Sequence, residues 1–205
     1  LLSTYNGEQF LAEQVKSIQE QTYQEWELLI RDDGSSDGTV EVIKQLVAKD
    51  PRIHFINENH VENVGVIKSF HALLKYSKAD LYCFSDQDDF WLPEKISLQV
   101  TEAKKYSQDK PLLIYTDLKV VDENLSVLHD SMIRTQSDHA NTELIQELTE
   151  NTVTGGVAMI NHALAELWTG EEKYDLLMHD WYLGLLASAF GNLVYIDEPT
   201  ELYRQ

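Results

Sequence analysis

The most informative stretch of this chain is Leu81-Tyr82-Cys83-Phe84-Ser85-Asp86-Gln87-Asp88-Asp89, in which a short apolar run ends in a cluster of carboxylates. The apolar part predicts a buried strand, and the polar part follows its carboxyl end. Ligands of open α/β sheets bind outside the carboxyl ends of strands. Two carboxylates at positions i and i+2, here Asp86 and Asp88, can converge on one hard cation. The stretch therefore predicts a ligand site; the alternative is a solvated turn with Asp89 as a helix N-cap.

Strands and helices alternate on the N-terminal side of this stretch. Apolar periodicity predicts helices over residues 8–21, 39–48, 65–77 and 93–106, and short apolar runs predict strands over 26–30, 53–56 and 81–84. A further strand ends near the start of the chain, at Leu1-Leu2. This alternation is typical of an α/β domain with a mostly parallel central sheet and helices on both faces.

The second half of the chain is less regular. Its apolar runs predict strands over 112–115, 118–121, 127–128, 157–160 and 193–196 and a helix over 180–190. The polar segment 131–141 predicts a mobile loop. Because 205 residues suffice for one well-buried core, we expect a single domain over residues 1–205, with halves at 1–110 and 111–205.

Composition excludes several classes of protein. The chain has 16 Lys and Arg against 35 Asp and Glu, a formal net charge of −19, which argues against binding to nucleic acid or to an anionic membrane by bulk charge. An anionic substrate would need a local device such as a metal ion or a helix N-terminus. The single cysteine, Cys83, predicts a reducing compartment, and no apolar run is long enough to cross a membrane, so we expect a cytoplasmic protein. The chain opens at Leu1 and closes at Gln205, and we expect both ends to continue in a longer protein.

A second polar cluster, Asp32-Asp33-Gly34-Ser35-Ser36-Asp37-Gly38, follows the predicted strand 26–30. A calcium loop is excluded because its twelfth position is Lys44 rather than Glu. The glycine patterns of a P-loop and of a dinucleotide fold are absent as well. Two interpretations remain open: a turn that caps the next helix, or an Asp that accepts hydrogen bonds from a base or a ribose.

Three weaker candidates lie elsewhere. Gly65 opens a helix that carries Lys68, which could approach phosphate oxygens or lie on a solvated face. The pair Gly155-Gly156 permits close approach of a ligand or forms a simple turn. Asp180 of His179-Asp180-Trp181 is a general base or an N-cap.

Taken together, these motifs resemble the family 2 glycosyltransferases, whose fold is the Rossmann-like GT-A nucleotide-sugar-binding fold. The resemblance rests on Ser3-Thr4-Tyr5-Asn6-Gly7, on residues 31–39, on Asn63-Val64-Gly65 and on residues 85–96, and it runs over nearly the whole chain. The variants D-Q-D-D-F-W at 86–91 and H-D-W at 179–181 are similar to the bacterial rhamnosyltransferase branch, which builds cell-wall polysaccharides.

The resemblance implies inverting transfer of a sugar from a nucleoside diphosphate, with a divalent Mg²⁺ or Mn²⁺. It assigns nucleotide-sugar contacts to Thr4, Tyr5, Asn6, Asp32, Asp33, Lys68, Asp86 and Gln87, metal ligation to Asp88 and Asp86, the base to Asp180, and acceptor contacts to Gly155, Gly156, His179 and Trp181. Rhamnose from dTDP-rhamnose is the donor expected from the branch, and Trp91 and Trp181 offer apolar surface for its methyl group. The acceptor would be a cell-wall or surface glycan, free or lipid-linked, reached at the inner face of the membrane.

Two other functions remain open. A sugar-phosphate nucleotidyltransferase should have a basic, glycine-rich N-terminal loop, and residues 3–9 contain no Lys or Arg. A nucleotide-sugar-binding protein without turnover would keep the fold but not the base. His179 departs from the Glu that often precedes the base in the family, and residues 1–205 do not include the His that follows the final Tyr-Arg in many relatives.

Overall fold

The computed structural model describes residues 1–170 and 175–205. Strands are β1 Leu2–Thr4, β2 Leu28–Asp32, β3 Ile53–Phe55, β4 Leu81–Cys83, β5 Phe90–Trp91, β6 Leu112–Val121, β7 Val127–His129, β8 Ala158–Asn161 and β9 Asn192–Arg204. Helices are α1 Leu11–Gln19, α2 Thr39–Lys49, α3 Val66–Tyr76, α4 Lys95–Ala103, α5 Met132–Gln136, α6 Leu144–Glu147, α7 His162–Thr169 and α8 His179–Phe190, and a 3₁₀ turn spans Gly155–Val157.

The N-terminal half has the predicted alternation. Strands β1, β2 and β3 pair in parallel in that order, and a parallel bridge from Leu2 to Ser85 joins β1 to the end of β4. The parallel order brings the carboxyl ends of β1, β2 and β4 to one edge. The helix predicted to start near residue 93 begins at Lys95 instead, with Glu94 in the cap position.

The second half forms a mixed sheet, so parallel pairing does not extend through the whole molecule. The order is β4-β8-β6-β9-β5, with β7 beside β6. Strand β6 is antiparallel to β8 and parallel to β9, while β5 is antiparallel to β9. The two runs predicted at 112–115 and 118–121 are one continuous strand, and the final strand reaches Arg204.

Helices cover both faces of the sheets, as predicted. Alternate strand residues point to opposite sides, so Leu28 and Ile30 join a core with α1, α2 and α4, whereas Leu29 joins a core with α3, α7 and α8. Residues 1–170 and 175–205 contain no helix with the length and apolar character needed to cross a membrane.

Segment 131–141 is not simply a loop, and this corrects the prediction. It contains α5, because Ser131 caps the helix by accepting a hydrogen bond from the backbone N–H of Arg134 at 3.0 Å. The buried Asp117 of β6 accepts further bonds from Met132 N at 3.1 Å and Ile133 N at 3.3 Å. Helix α7 was also missed, although its buried Leu164, Ala165 and Trp168 follow a helical spacing.

Candidate active site

The carboxyl ends of β1, β2 and β4 enclose a cavity of about 360 Å³. Its lining includes Thr4, Tyr5, Asp33, Asp86, Gln87 and Asp88, together with Asn63, Gly65 and Val66 from the start of α3. Tyr5 is about half exposed, so its ring is available to a ligand. The structure therefore brings together residues that are more than eighty positions apart in the chain, at the sheet edge where the sequence predicted a ligand.

Gln87 connects the two sides of this cavity. Its Oε1 accepts hydrogen bonds from Thr4 Oγ1 at 2.6 Å and from Tyr5 N at 2.7 Å, and its Nε2 donates to Tyr5 O at 3.0 Å. A Cβ on Gly7 would collide with this side chain. Gln87 thus fixes the loop after β1 against the D-x-D turn. Asn6 joins the same loop to the next one, because its Oδ1 accepts from Ser36 N at 2.8 Å.

The two Asp residues at the end of β2 are buried and bonded within the protein. Asp32 Oδ1 accepts from Ser35 N at 2.9 Å, which forms the predicted turn. The turn does not cap the next helix, because Gly38 holds the cap position of α2 without a side-chain cap. Asp33 pairs with the buried Arg31 at 2.7 Å and accepts from Val64 N at 2.8 Å and Gly65 N at 2.9 Å. Asp33 therefore ties β2 to the start of α3 as well as lining the cavity.

Lys68 lies apart from these residues. It lines a separate cavity of about 490 Å³ together with Arg31, Asn57 and His60. The structure does not bring Lys68 to the cavity lined by Asp86 and Asp88, so its predicted contact with the nucleotide stays a prediction.

Carboxylates are concentrated around the D-x-D turn. Burial, together with the negative charges of Glu201, Asp88 and Asp180, raises the pKa of Asp86 to about 7. Glu201, Asp88 and Asp180 therefore each lie within electrostatic reach of Asp86. Asp89 is not an N-cap, since α4 begins after Glu94; it is 1% exposed, and burial, followed by Glu201 and the neighbouring carboxylates, raises its pKa to about 10.

Glu201 and Arg204 of β9 complete the surroundings of this turn, and the sequence predicted neither. Glu201 and Lys95 are fully buried and form an ion pair at 3.0 Å. Arg204 donates to the backbone O of Asp88, and its backbone N–H donates to Asp89 Oδ1 at 3.3 Å. The guanidinium also lies over the ring of Phe10 at 4.4 Å. No local motif around Arg204 would have indicated this contact.

The donor set suits a hard divalent cation. Within residues 1–170 and 175–205 no group of three or more His, Cys, Asp or Glu side chains is arranged to hold a metal ion. Mg²⁺, however, uses one or two carboxylates and takes its other oxygens from water and substrate phosphates. Asp86 and Asp88 supply that number, and a cation beside them would relieve the repulsion that raises the pKa of Asp86.

Asp180 lies in the first turn of α8, which begins at His179 after Met178 in the cap position, so Asp180 is not the N-cap. It is 8% exposed. Its Oδ2 accepts from Gly155 N at 3.0 Å and its Oδ1 accepts from Trp181 N at 2.6 Å. Burial raises the pKa of Asp180, while these two bonds oppose the increase. The result is an oriented carboxylate that is more basic than an exposed one.

The other acceptor-side residues have different surroundings. His179 is buried, its ring packs on Phe70 at a centroid distance of 4.6 Å, and neither ring nitrogen finds a hydrogen-bond partner among the described residues. Burial lowers the pKa of His179 to about 4. Trp181 donates from its indole to Glu147 O at 2.8 Å.

The three remaining residues named from the sequence, Gly155, Gly156 and Trp91, are all buried. A Cβ on Gly155 would lie 3.2 Å from His179 Nε2, and one on Gly156 would clash with Glu201. Trp91 is 3% exposed and packs in the core, so it offers no surface to a sugar.

Comparison with known proteins gives the family. The model of Glycosyl transferase family 2 matches residues 1–166. The dTDP-rhamnosyl transferase RfbG of Shigella flexneri is 28% identical over 100% of this chain and 71% of its own length. The UDP-Glc:alpha-D-GlcNAc-diphosphoundecaprenol beta-1,3-glucosyltransferase WfgD of Escherichia coli is 29% identical over 60% of this chain and 46% of its own length.

Solved structures give the fold. Staphylococcus aureus TarS 1-349 in complex with UDP-GlcNAc superposes with a TM-score of 0.74 at 17% identity, covering 100% of this chain and 57% of that one. The mannosyltransferase PcManGT of Pyrobaculum calidifontis, in complex with GDP-Man and Mn²⁺, has a TM-score of 0.69 at 14% identity, covering 96% of this chain and 53% of that one. The chain thus spans little more than half of these two structures. It belongs to glycosyl transferase family 2 and is a glycosyltransferase domain with the GT-A fold.

Proposed function

We propose that this domain transfers a sugar from a nucleoside-diphosphate donor to a hydroxyl group, with inversion at the anomeric carbon. The observation that supports this most is the position of Asp180. It is buried, oriented by two backbone N–H groups, and close enough to Asp86 to raise the pKa of that carboxyl. Asp180 would then serve as the base, close to the D-x-D turn, in a one-step displacement.

The donor would occupy the cavity at the ends of β1, β2 and β4. The exposed ring of Tyr5 would contact the nucleobase of the donor. Thr4, Asn6 and Gln87 shape the loop beside it. Asp32 and Asp33 would act on the nucleotide mainly by fixing the loops that enclose it, since their carboxylates are already bonded. Lys68 would contact phosphate only at the margin of the site.

A divalent cation, Mg²⁺ or Mn²⁺, would be held by Asp88 and Asp86 and would neutralise charge on the leaving diphosphate. The structural neighbour PcManGT is in complex with GDP-Man and Mn²⁺, which supports the use of such an ion here. Arg204 keeps the turn in place by binding the backbone of Asp88 and stacking on Phe10. This chain's own residues therefore hold the turn rigid before any ligand arrives.

On the acceptor side, Asp180 would remove the hydroxyl proton as the oxygen attacks the anomeric carbon from the face opposite the diphosphate. Burial favours proton uptake because it raises the pKa of Asp180. Gly155 and Gly156 would border the acceptor, and Trp181 would pack beside it. His179, which is uncharged at neutral pH because its pKa is about 4, would serve as an apolar backing for this side of the site.

We further propose dTDP-rhamnose as the donor and a cell-wall or surface glycan as the acceptor. The supporting observations are the D-Q-D-D-F-W and H-D-W variants and the likeness to RfbG over the whole chain. WfgD, as its name states, acts on an alpha-D-GlcNAc-diphosphoundecaprenol acceptor, which supports a lipid-linked acceptor. We accordingly propose a cytoplasmic enzyme at the inner face of the membrane.

A donor panel tests this proposal. Purified protein is incubated with dTDP-rhamnose, UDP-glucose or UDP-GlcNAc, with Mn²⁺ or with EDTA, and release of the nucleoside diphosphate is measured. We expect Mn²⁺-dependent release that is fastest with dTDP-rhamnose. Faster release from UDP-glucose would reject the sugar but not the transferase, whereas donor binding without release, also with candidate acceptors present, would favour a binding protein.

A further inference from the structure

Glu147, the last residue of α6, is a fully buried carboxyl that lies outside the motifs of the sequence analysis. Its Oε2 finds no hydrogen-bond donor in the part of the chain that the structure describes. Its Oε1 has only long contacts, at 3.4 Å, from the N and the Oγ1 of Thr152. Because burying an unpaired carboxylate is costly, its presence here calls for a role.

Glu147 lies against the same face of α8 as Asp180. A Cβ on Gly184 would be 3.2 Å from Glu147 Oε2. Gly184 follows Asp180 by four positions, and residues at i and i+4 share one face of a helix. The indole of Trp181, the next residue along, donates to the backbone O of Glu147 at 2.8 Å. The two carboxyl groups are therefore about one helical turn apart on a packed helix surface.

The charges around Glu147 favour its protonated form. The negative charges of Asp180 on α8 and of Glu150 after α6 act on Glu147. The phenol oxygen of Tyr115 on β6 lies 2.9 Å from Thr152 Oγ1, which in turn is 3.4 Å from Glu147 Oε1. Among the residues described, no cation pairs with it. The pKa of Glu147 is raised to about 7, above all by burial and also by the charges of Asp180 and Glu150, while the contacts from Thr152 oppose the increase.

We propose that Glu147 is a positioning residue that sets the basicity of Asp180. This rests on the proposed role of Asp180 as the base. An uncharged Glu147 allows Asp180 to be anionic in a buried pocket, and an ionised Glu147 adds a second negative charge that makes Asp180 bind a proton more strongly. Paired carboxyl groups with different environments divide acid and base roles in this way.

The proposed role of Glu147 adds no proton-transfer step to the sugar transfer. The acceptor O–H bond breaks and its proton goes to Asp180, the bond from the acceptor oxygen to the anomeric carbon forms, and the bond to the diphosphate breaks with its electron pair leaving on the diphosphate. Glu147 forms no bond to the substrate. Its own proton exchanges with solvent.

Carboxyl NMR tests the coupling without any substrate. In ¹³C-labelled protein, the Glu147 side chain is assigned by its loss in Glu147→Gln, and its titration is followed in the wild type and in Asp180→Asn. We expect a midpoint near neutral pH that falls by about one unit or more in Asp180→Asn, the strength at which two sites titrate as a pair. An ordinary midpoint in the wild type, or no change in Asp180→Asn, would overturn the proposal. If Asp180→Asn does not fold, the Asp180 carboxyl is followed in Glu147→Gln and must shift downward.

The pH profile of nucleoside-diphosphate release from dTDP-rhamnose tests the consequence. We expect the wild-type kcat to rise in two steps as the pH increases. In Glu147→Gln the step near neutral pH should be absent, and the kcat at high pH should be about threefold lower than in the wild type, for an intermediate Brønsted dependence. Glu150→Gln removes an exposed charge from the same segment and should keep both steps. A Glu147→Gln profile identical to the wild type would reject the role of Glu147. If Asp180 is not the base, both Asp180→Asn and Glu147→Gln leave turnover unchanged while the NMR coupling remains, so the two failures are distinguishable.

Discussion

The backbone N–H of Gly155 donates a hydrogen bond to Asp180 Oδ2 at 3.0 Å, which joins the 3₁₀ turn before β8 to the first turn of α8. The second carboxylate oxygen is held by Trp181 N at 2.6 Å. Both carboxylate oxygens thus have a fixed direction before a substrate binds. Such preorganisation lowers the cost of bringing a base to its target.

Replacement of this carboxylate tests its role directly. We expect Asp180→Asn to bind the donor as the wild type does and to lose about 10²–10⁴-fold in transfer rate, the usual contribution of a positioned base. The amide oxygen can still accept from Gly155 N, so the loop stays in place. The measurements are donor affinity by calorimetry and kcat for nucleoside-diphosphate release. Asp175→Asn, which changes an exposed Asp just before α8, is the control and should behave as the wild type. Near-normal turnover in Asp180→Asn would remove Asp180 from the mechanism.

The two neighbouring glycines should respond differently to alanine. A Cβ on Gly156 would clash with the buried carboxylate of Glu201, which Lys95 holds at 3.0 Å, so Gly156→Ala should lower the free energy of unfolding by about 1–3 kcal/mol. A Cβ on Gly155 would meet His179 Nε2 at 3.2 Å and Asp180 Oδ2 at 3.7 Å, so Gly155→Ala should cost less stability and reduce turnover instead. Urea denaturation and kcat are measured for both variants. Equal losses of stability would contradict the assignment of Gly155 to the acceptor side.

His179 should make the protein sensitive to mild acid. Its pKa is lowered from 6.5 to about 4 because the ring is buried. Below about pH 6.5 His179 therefore binds a proton in the unfolded chain but not in the folded chain. The free energy of unfolding falls as the pH is lowered toward 4. His179→Phe fills the same aromatic site between Phe70 and Phe84 without a titrating group.

Thermal midpoints of wild type and His179→Phe, measured at about pH 5 and pH 8, check this expectation. The difference between the two proteins should grow in favour of Phe at the lower pH. His54→Phe, at an exposed position, is the control and should show no such divergence. If the difference between the two thermal midpoints is the same at both pH values, His179 binds a proton as readily in the folded chain as in the unfolded chain.

The metal ligand can be tested by binding alone. We expect Mn²⁺ to increase the affinity of the wild type for dTDP and to have no such effect on Asp88→Asn, since one carboxylate and the diphosphate would no longer share the ion. Calorimetry with Mn²⁺ and with EDTA measures both affinities. Asp109→Asn, an exposed surface change, should retain the full effect of Mn²⁺. A Mn²⁺ effect of unchanged size in Asp88→Asn would assign the ion to other residues.

Local patterns were sufficient for the first half of the chain. The helices at α1, α2 and α3 follow an apolar repeat that is complete within each segment, so their prediction needed no distant contact. The position of Asp86 and Asp88 followed from a general rule of parallel strands, because their carboxyl ends meet at one edge. The parallel pairing of β1 with β2 and the parallel bridge from Leu2 to Ser85 confirm that β1, β2 and β4 end at this edge.

Pairing in the second half depended on tertiary contacts. An apolar run such as β6 has no local feature that selects an antiparallel partner on one side, β8, and a parallel one on the other, β9. Segment 131–141 is polar enough to predict a loop, yet it contains a helix that Ser131 caps and whose first backbone N–H groups bind Asp117 of β6. Long-range pairing follows from total burial and connectivity, which a short window of sequence does not contain.

The same limit applies to the site. The sequence by itself determined the D-x-D turn, the carboxylate at the start of α8 and the family, since these are contiguous motifs. Only the tertiary structure decided that Glu147 and Glu201 are buried beside them and that Arg204 holds the turn. Lys95 and Glu201 form their ion pair across 106 positions of the chain. A Glu in a sequence is expected at the surface, and its burial depends on neighbours that only the folded chain brings together.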